Sequence, residues 1–169
     1  MARATYDIAR FRMKLAAVAI AMDRRQPELL ENIGKRVEEE AKSAFGQDNW
    51  EPGAPFETPW ADLAEPTQDF KERHGWTGRV SQWDTLLRSG RTRDTIRHAV
   101  LGDNKVVVGS NSPIMQMLEL GTTRMPPRSV LGGAMNRMHR WAAGELGAGM
   151  VSQLVGRQVL SGAMTIRRR

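Results

Sequence analysis

The chain has 169 residues and a mass of 18.9 kDa, which is enough for one domain with a hydrophobic core but not for two. Its composition, 40% hydrophobic and 26% charged, is that of a globular protein, and the lack of cysteine excludes disulfide scaffolds, thiolate metal sites and cysteine nucleophiles. The net charge of +6 comes from the last third, because residues 1–110 carry 17 Lys and Arg against 17 Asp and Glu, whereas residues 111–169 carry 8 against 2. A basic end of this kind binds nucleic acid, an anionic surface or an acidic protein, or only keeps the chain soluble.

The N-terminal third predicts two amphipathic helices. Apolar residues recur at three- and four-residue steps in a first helix over roughly Thr5 to Arg25. Pro27 begins a second periodic stripe, where a proline costs no hydrogen bond, and Gly46 ends it. The apolar run from Leu15 to Met22 is too short to span a bilayer and lacks a signal-cleavage pattern. We therefore expect a protein that is made in the cytoplasm and has no membrane partner.

Residues 46–78 predict a long loop, because prolines and glycines are frequent there and hydrophobic periodicity is weak. Such a loop is uncommon in a compact domain unless it binds a partner or is ordered by one. Trp50, Trp60 and Trp76 lie in it, and tryptophan side chains are costly to leave in water. We expect them to pack on the chain's own core or on a neighbouring subunit.

The segment after the loop predicts a small antiparallel sheet. Residues Thr95 to Leu101 and Lys105 to Gly109 are short and rich in β-branched residues, and turn formers separate them, so a β-hairpin is expected. The stretch "PIMQMLELG" starts with a proline, has Ile114, Met117 and Leu118 at helical spacing, and predicts a short helix that ends at Gly121.

The stretch "MPPRSVLGG" predicts a stiff elbow, because Pro126 and Pro127 lack backbone donors and restrict their neighbours. Arg128 to Leu131 predicts a further strand, with Arg128 free to meet a neighbour's carboxylate, and Gly133 to about Glu145 predicts the last helix. Residues 147–169 predict a basic arm of Gly-broken strands or one that becomes ordered on assembly. The expected organisation is a single α+β domain over residues 1–146 followed by this arm.

The chemistry of the sequence does not favour an enzyme. The three histidines are far apart and have no metal-like partner spacing, and no serine has a neighbouring general base. The acidic run Glu38 to Glu40 predicts a solvated helix surface, because successive helical residues point about 100° apart. We expect no catalytic residue, no cofactor and no metal.

A nucleic-acid-binding protein remains the alternative function. Arg137 and Arg140 share one face of the last predicted helix, and Arg167, Arg168 and Arg169 end the arm. A concentrated basic face is what such a protein needs, so the last helix and the arginine tail are its candidate contacts.

The order of motifs resembles the phage virion morphogenesis family, the tail-completion and neck proteins of long-tailed phages such as Mu-like ones. The family pattern of a helix ending in an aromatic residue, a Trp-containing loop and "L-x-x-S-G-x-L-x-x-S-I" corresponds to "AKSAF", "TPWADLAEPT" and "TLLRSGRTRDTI". Its hairpin ending in "V-G-S", its short helix and its "P-A-R-P-F-L-G" segment correspond to "KVVVGSN", "PIMQMLELG" and "MPPRSVLGG". The match runs from about Pro27 to Trp141. The family's second proline and phenylalanine are Ser129 and Val130 here.

The resemblance implies a non-enzymatic virion protein of the neck or tail terminus that forms a ring of six copies. Its partners would be its own copies, a tail-tube or tail-terminator protein and a head-completion or connector protein, with DNA possible in the channel. It would be found in the host cytoplasm during assembly and in the virion afterwards. The candidate interface residues are Trp50, Trp60, Trp76, Arg124, Arg128, Arg137, Arg140, Arg167, Arg168 and Arg169.

Overall fold

The computed structural model describes residues 8–52, 59–102 and 104–155. Within these ranges the chain is an α+β protein with five helices and one antiparallel hairpin, which confirms the predicted fold class. In chain order the elements are α1 (Ile8–Ser43), α2 (Glu65–Arg73), α3 (Arg91–Asp94), β1 (Arg97–Leu101), β2 (Lys105–Gly109), α4 (Pro113–Leu120) and α5 (Leu131–Val155).

The N-terminal segment is one helix, so the prediction of two helices meeting near Pro27 was wrong. Pro27 lies inside α1, which continues through it for 36 residues in all. A proline removes one backbone donor from the helix ladder, and the residues on both sides of it are mostly good helix formers. The helix ends at Ser43, and Gly46, with a φ of 94°, follows in the turn as expected.

The second half of α1 provides the core stripe. Its buried side chains are spaced at helical intervals and include Leu30, Ile33, Val37 and Ala41, and Phe45 is buried just after its end. α5 packs along α1. The predicted apolar stripe of this half of the helix is therefore confirmed.

The hairpin lies on α1 at a glycine. β1 and β2 pair antiparallel with Ala99 opposite Val107, close to the predicted bounds. A Cβ on Gly34 of α1 would lie 2.6 Å from Val106 Cγ2 and 2.9 Å from His98 Cδ2. Because a two-stranded sheet is at best marginally stable alone, this close approach to α1 is what holds the hairpin.

The predicted long loop contains a helix. α2 begins at Glu65, with Pro66 in its first turn, and ends at Arg73. The helix was not predicted from the sequence, because nine residues give little periodicity and prolines lie close by. A proline in the first turn does, however, favour a helix start.

The elbow between α4 and α5 is confirmed, but the strand predicted at Arg128 to Leu131 was wrong. The N–H of Arg128 donates to Leu118 O of α4 at 2.7 Å, so the chain folds back on the helix it has just left. Glu119 then accepts hydrogen bonds from the N–H groups of Val130 (2.8 Å) and Leu131 (2.5 Å). A carboxylate at this place satisfies donors that a helix start leaves unpaired, so α5 starts at Leu131.

α5 is longer than predicted. It runs to Val155 and so passes through the start of the expected arm, for which Gly-broken strands or ordering on assembly were predicted. The rest of the arm, residues 156–169, lies outside the described residues. No helix within the described ranges is both long and apolar enough to cross a membrane.

The helix α5 approaches Trp50 at Gly133, which predicts that even one methyl group there destabilises the fold. A Cβ on Gly133 would lie 2.5 Å from Trp50 Cζ3 and 2.6 Å from Pro52 Cβ. We expect Gly133→Ala to lower the free energy of unfolding by about 1–3 kcal/mol, the usual cost of overpacking. Gly144→Ala is the matched control, because a Cβ there meets nothing within 4 Å and alanine favours a helix. Urea unfolding followed by circular dichroism measures both, and equal stability of the two variants would contradict the close packing.

Candidate interaction surfaces

Two of the three tryptophans predicted to be interface residues belong to the chain's own core. Trp50 and Trp60 are 2% and 4% exposed, and their ring centroids are 5.1 Å apart. The N–H of Trp60 donates to Trp50 O, which joins the two sides of the loop. Neither indole is available to a neighbouring subunit in this structure.

Trp76 is half-buried in a small cluster outside the core. Its ring lies 4.9 Å from that of His74 and 5.6 Å from that of Phe70, and the guanidinium of Arg88 lies 4.2 Å from its centroid. A cation over an aromatic face is favourable, most of all for tryptophan. Trp76 therefore connects α2 to the segment before α3.

The loop is held by three charged residues, here called the loop anchor: Asp48, Lys71 and Asp84. Lys71 is 8% exposed, and its Nζ donates to the carbonyl oxygens of Trp83 (2.6 Å), Asp84 (2.7 Å) and Leu87 (3.3 Å). Three donors on an ammonium group suit three carbonyl groups that lack a helix or sheet partner.

The two carboxylates of the loop anchor bind backbone donors. Asp84 is fully buried and accepts from the N–H groups of Arg79 (2.9 Å) and Val80 (2.7 Å). Asp48 accepts from the N–H of Trp83 at 2.8 Å and from the hydroxyl of Thr85, also at 2.8 Å. The anchor thus ties the segment that follows α1, helix α2 and residues 79–87 into one unit.

The pKa values of the loop anchor follow from this geometry. Burial by itself raises the pKa of Asp84, but hydrogen bonds from Arg79, Val80 and Ser81 outweigh it and leave the pKa below its usual value. The pKa of Asp48 is lowered in the same way, against burial, by Trp83, Ser81 and Thr85. Burial lowers the pKa of Lys71, while the charges of Asp84 and Asp48 oppose that shift.

The loop anchor was not found from the sequence. Its members are separated by 13 or more residues, and nothing in their spacing marks them as partners. The one available signal was the turn sequence "SQWD", since aspartate often accepts hydrogen bonds from backbone groups in turns.

Arg128, predicted to be free for a neighbour's carboxylate, is buried within its own chain. It is 4% exposed, and its Nη2 donates to Ala61 O at 2.9 Å and more weakly to Asp62 O. Burial lowers its pKa. Among the described residues, its Nε and Trp60 Nε1 have no hydrogen-bond partner. Its role in this structure is to hold the loop that carries Trp60 against the elbow.

The other predicted arginines are on the surface. Arg137 is exposed, pairs with Glu40 at 2.5 Å and donates to Glu51 O at 3.0 Å. Arg124 in the elbow and Arg140 on α5 are also exposed. Arg167, Arg168 and Arg169 lie outside the described residues.

A charged cluster joins the hairpin to α1 and corrects the prediction that Glu38 is a solvated surface residue. His98 Nδ1 lies 2.5 Å from Glu38, whose side chain is 13% exposed, and His98 Nε2 lies 3.0 Å from Glu31. Lys42 also pairs with Glu38, and Arg97 approaches it to 3.9 Å.

The pKa values of this cluster shift in opposite directions. The hydrogen bond to Glu38 raises the pKa of His98, burial opposes it, and Glu31 adds to the rise. Burial by itself raises the pKa of Glu38, but the hydrogen bonds from Lys42 and His98 outweigh it and leave the pKa at about 2. Glu38 thus stays ionised at every pH at which His98 titrates.

The outward face of α4 is apolar. Ile114, Met117 and Leu120 are 50%, 52% and 73% exposed, while Met115 and Leu118 point into the core. The predicted short helix is confirmed, and of the three residues at helical spacing Leu118 is buried whereas Ile114 and Met117 are on the outside. The helix is apolar around most of its circumference, a pattern typical of helices covered on all sides. We call Ile114, Met117 and Leu120 the α4 face.

The hairpin also has an uncovered face. Its inward side chains pack on α1, whereas Ala99, Leu101 and Val107 are exposed on the opposite side, with Arg97 and Lys105 at its ends. Strands buried on one side only normally alternate apolar and polar residues. We call Ala99, Leu101 and Val107 the hairpin face.

In the part of the chain that the structure describes, no group of His, Asp or Glu side chains is arranged to hold a metal ion.

One known protein resembles this chain over most of its length. The chain is 28% identical over 127 residues to a protein called Mu-like prophage FluMu G protein 1 from Haemophilus influenzae. The aligned region covers 75% of this chain and 80% of that protein. No family model and no solved structure matches. The similarity links the chain to Mu-like phages and supports a phage structural or morphogenesis role.

Replacement of the lysine of the loop anchor is predicted to destabilise the fold. We expect Lys71→Met to lower the free energy of unfolding by about 2–4 kcal/mol, because buried carbonyl groups lose their donor and two carboxylates lose a cation. Arg73→Met is the control, since Arg73 lies on the same helix and is exposed. Urea unfolding monitored by tryptophan fluorescence tests this, and similar stability of the two variants would show that the anchor is dispensable.

The cluster at His98 predicts a pH dependence of stability. Because its folded pKa is raised, the charged His98 contributes stability that is fully present below its unfolded pKa of about 6.5 and is lost as the pH rises through the folded pKa. We expect the stability difference between the wild type and His98→Gln to shrink as the pH rises from about 5.5 to about 9. The exposed His139→Gln is the control. A difference that stays constant over the range would contradict the ion pair.

Proposed function

We propose that this chain is a structural virion protein of the phage neck or tail terminus, which assembles with its own copies into a ring that completes the tail and joins it to the head. It acts by binding and not by catalysis. Its further partners are a tail-tube or tail-terminator protein on one side and a head-completion or connector protein on the other. It works in the host cytoplasm during assembly and remains in the virion.

The proposal combines two kinds of support. The similarity to a Mu-like prophage protein supports a structural or morphogenesis role in phage. The order of sequence motifs, which resembles the tail-completion family, supports the more specific role at the neck or tail terminus.

The observation that carries the ring is the uncovered apolar surface of a single copy. The α4 face contains Leu120 at 73% exposure, and the hairpin face contains Leu101 at 51%. Exposed apolar residues grouped on one face of an element indicate an interaction site. The hairpin also has no further strand paired to either edge among the described residues, and open edges accept strands from other chains.

The alternative, a small basic nucleic-acid-binding protein, has less support. It would use Arg137 and Arg140 on α5 together with the arginine tail, but Arg137 is already paired with Glu40 and lies 5.7 Å from the ring of Trp50. A protein of this kind would bind DNA with an affinity that falls steeply with salt. A plot of the logarithm of the affinity against the logarithm of the salt concentration would have a negative slope of about one for each phosphate contact.

A charge on the α4 face is predicted to stop assembly without unfolding the subunit. We expect Leu120→Glu to prevent ring formation, because a carboxylate would have to be buried without a partner in the subunit contact. Its stability should change by less than about 0.5 kcal/mol, since the side chain is exposed in the single copy. Gln116→Glu is the matched control, because it adds the same charge at another exposed position of the same helix.

Light scattering and negative-stain microscopy of the purified protein, alone and with purified tail tubes, measure the outcome. We expect rings for the wild type and for Gln116→Glu but not for Leu120→Glu. A wild-type protein that stays monomeric and never joins tails would overturn the proposed function. Salt-sensitive binding to DNA in the absence of any assembly would favour the alternative.

A further inference from the structure

The geometry points to one specific contact: the α4 face of each copy docks on the hairpin face of the next copy. This inference rests on the proposed ring and names the two surfaces that build it. The contact is heterologous, since each copy gives one surface and receives the other. Repeated contacts of that kind form a closed ring where the rotation between neighbours closes, and a filament where it does not.

The two faces need cover and do not cover each other. Ile114, Met117 and Leu120 stay 50% or more exposed, and Leu101 on the hairpin stays 51% exposed, so α4 does not lie over its own hairpin face. In the proposed contact, the α4 face of each copy would be covered by the hairpin face of one neighbour, and its hairpin face by the α4 face of the other neighbour. Two different proteins would be needed to cover both faces, whereas copies of this chain cover both with surfaces that each copy already has.

The shapes of the two faces fit. Successive residues of an α-helix rise about 1.5 Å, so Ile114 and Leu120 lie about 9 Å apart along α4. Ala99 and Leu101 lie about 7 Å apart along β1, and Val107 lies on the neighbouring strand about 5 Å away. A helix is about 10 Å wide and so covers both strands. The hairpin, which has α1 on one side, would then have a helix on each side, and a sheet with both faces covered is a stable layered arrangement.

The charges of the two faces are compatible. The single charged residue of α4 is Glu119, and its carboxylate is turned toward Ser129, Val130 and Leu131, so it is not part of the α4 face. The hairpin face has Arg97 and Lys105 at its rim and no acidic residue. Docking therefore buries no unpaired carboxylate and brings no like charges together. The rim cations, at the ends of the hairpin, stay in water.

Cysteine cross-linking tests the contact directly, because the chain has no cysteine of its own. The variants are Val107→Cys on the hairpin face and Met117→Cys on the α4 face, each in the full-length chain. The two purified variants are mixed, allowed to assemble with tail tubes and mildly oxidised. Since a disulfide needs Cα atoms within about 7 Å, we expect at least about ten times more covalent dimer in the mixture than with either variant alone.

In the control, one of the two cysteines is placed at an exposed position that lies on neither face. Val107→Cys mixed with Glu72→Cys on α2 should give no more covalent dimer than each variant alone, because Glu72 is exposed but lies on neither face. A double variant that carries Val107→Cys and Met117→Cys in one chain should give a ladder of covalent oligomers that ends at the copy number of the ring.

The other outcomes overturn the inference in distinguishable ways. Rings without the mixed cross-link leave the proposed function standing and reject this contact. A dimer formed equally well by one variant alone indicates that like faces meet, and a cross-link from Met117→Cys to a different virion protein identifies another occupant. The absence of any ring or tail binding by the wild type rejects the proposed function together with the contact.

Discussion

The close contact between α1 and the hairpin at Gly34 is the constraint on which the rest of the structure depends. Two strands alone bury too little apolar surface to be stable, so the hairpin exists only because a helix without a side chain at position 34 lets Val106 and His98 approach. The ion pairs between His98, Glu31 and Glu38 fix the same contact from its polar side. A helix covers one face of a sheet, however, and the opposite face with Leu101 and Val107 stays open. The same constraint that holds the hairpin therefore also leaves its opposite face uncovered.

The loop after α1 obeys a second constraint, that buried backbone groups must find hydrogen-bond partners. Because this segment has little regular structure, side chains supply those partners: Lys71 donates to three carbonyl oxygens, and Asp84 accepts from consecutive N–H groups. Buried charges are costly, and removing one leaves its partners unsatisfied. These bonds tie the described parts of the loop to the domain. Trp50 and Trp60 thus serve the core, and the proposed interaction surface lies on α4 and the hairpin instead.

Local patterns in the sequence predicted the hairpin, the short helix α4, the core stripe of α1 and the elbow, because periodicity, turn formers and prolines act on neighbouring residues. The same rules failed at Pro27, where the helix formers on both sides outweigh one missing backbone donor. They also failed at Arg128 to Leu131, because the carboxylate of Glu119 on α4 binds the N–H groups at which α5 begins. The partners of Arg128 and Lys71 could not be predicted, because they are carbonyl oxygens brought near by the fold. The exposure of Ile114 and Met117 was also hidden, since apolar residues on all sides of a short helix do not reveal which side faces inward.

The position of Glu119 connects the fold to the proposed assembly. Its carboxylate caps α5, so the one charge of α4 is used inside the domain and the outward side of that helix is left apolar. The same cap, together with the bond from Arg128 N–H to Leu118 O, fixes the angle between α4 and α5, and α5 packs along α1, which carries the hairpin. Both faces of the proposed contact are therefore attached to helices that pack on one another within a single copy. A preorganised surface loses less conformational entropy on binding. A contact made by only a few side chains from each copy can therefore contribute binding free energy to the proposed ring, where the contact is repeated between every pair of neighbours.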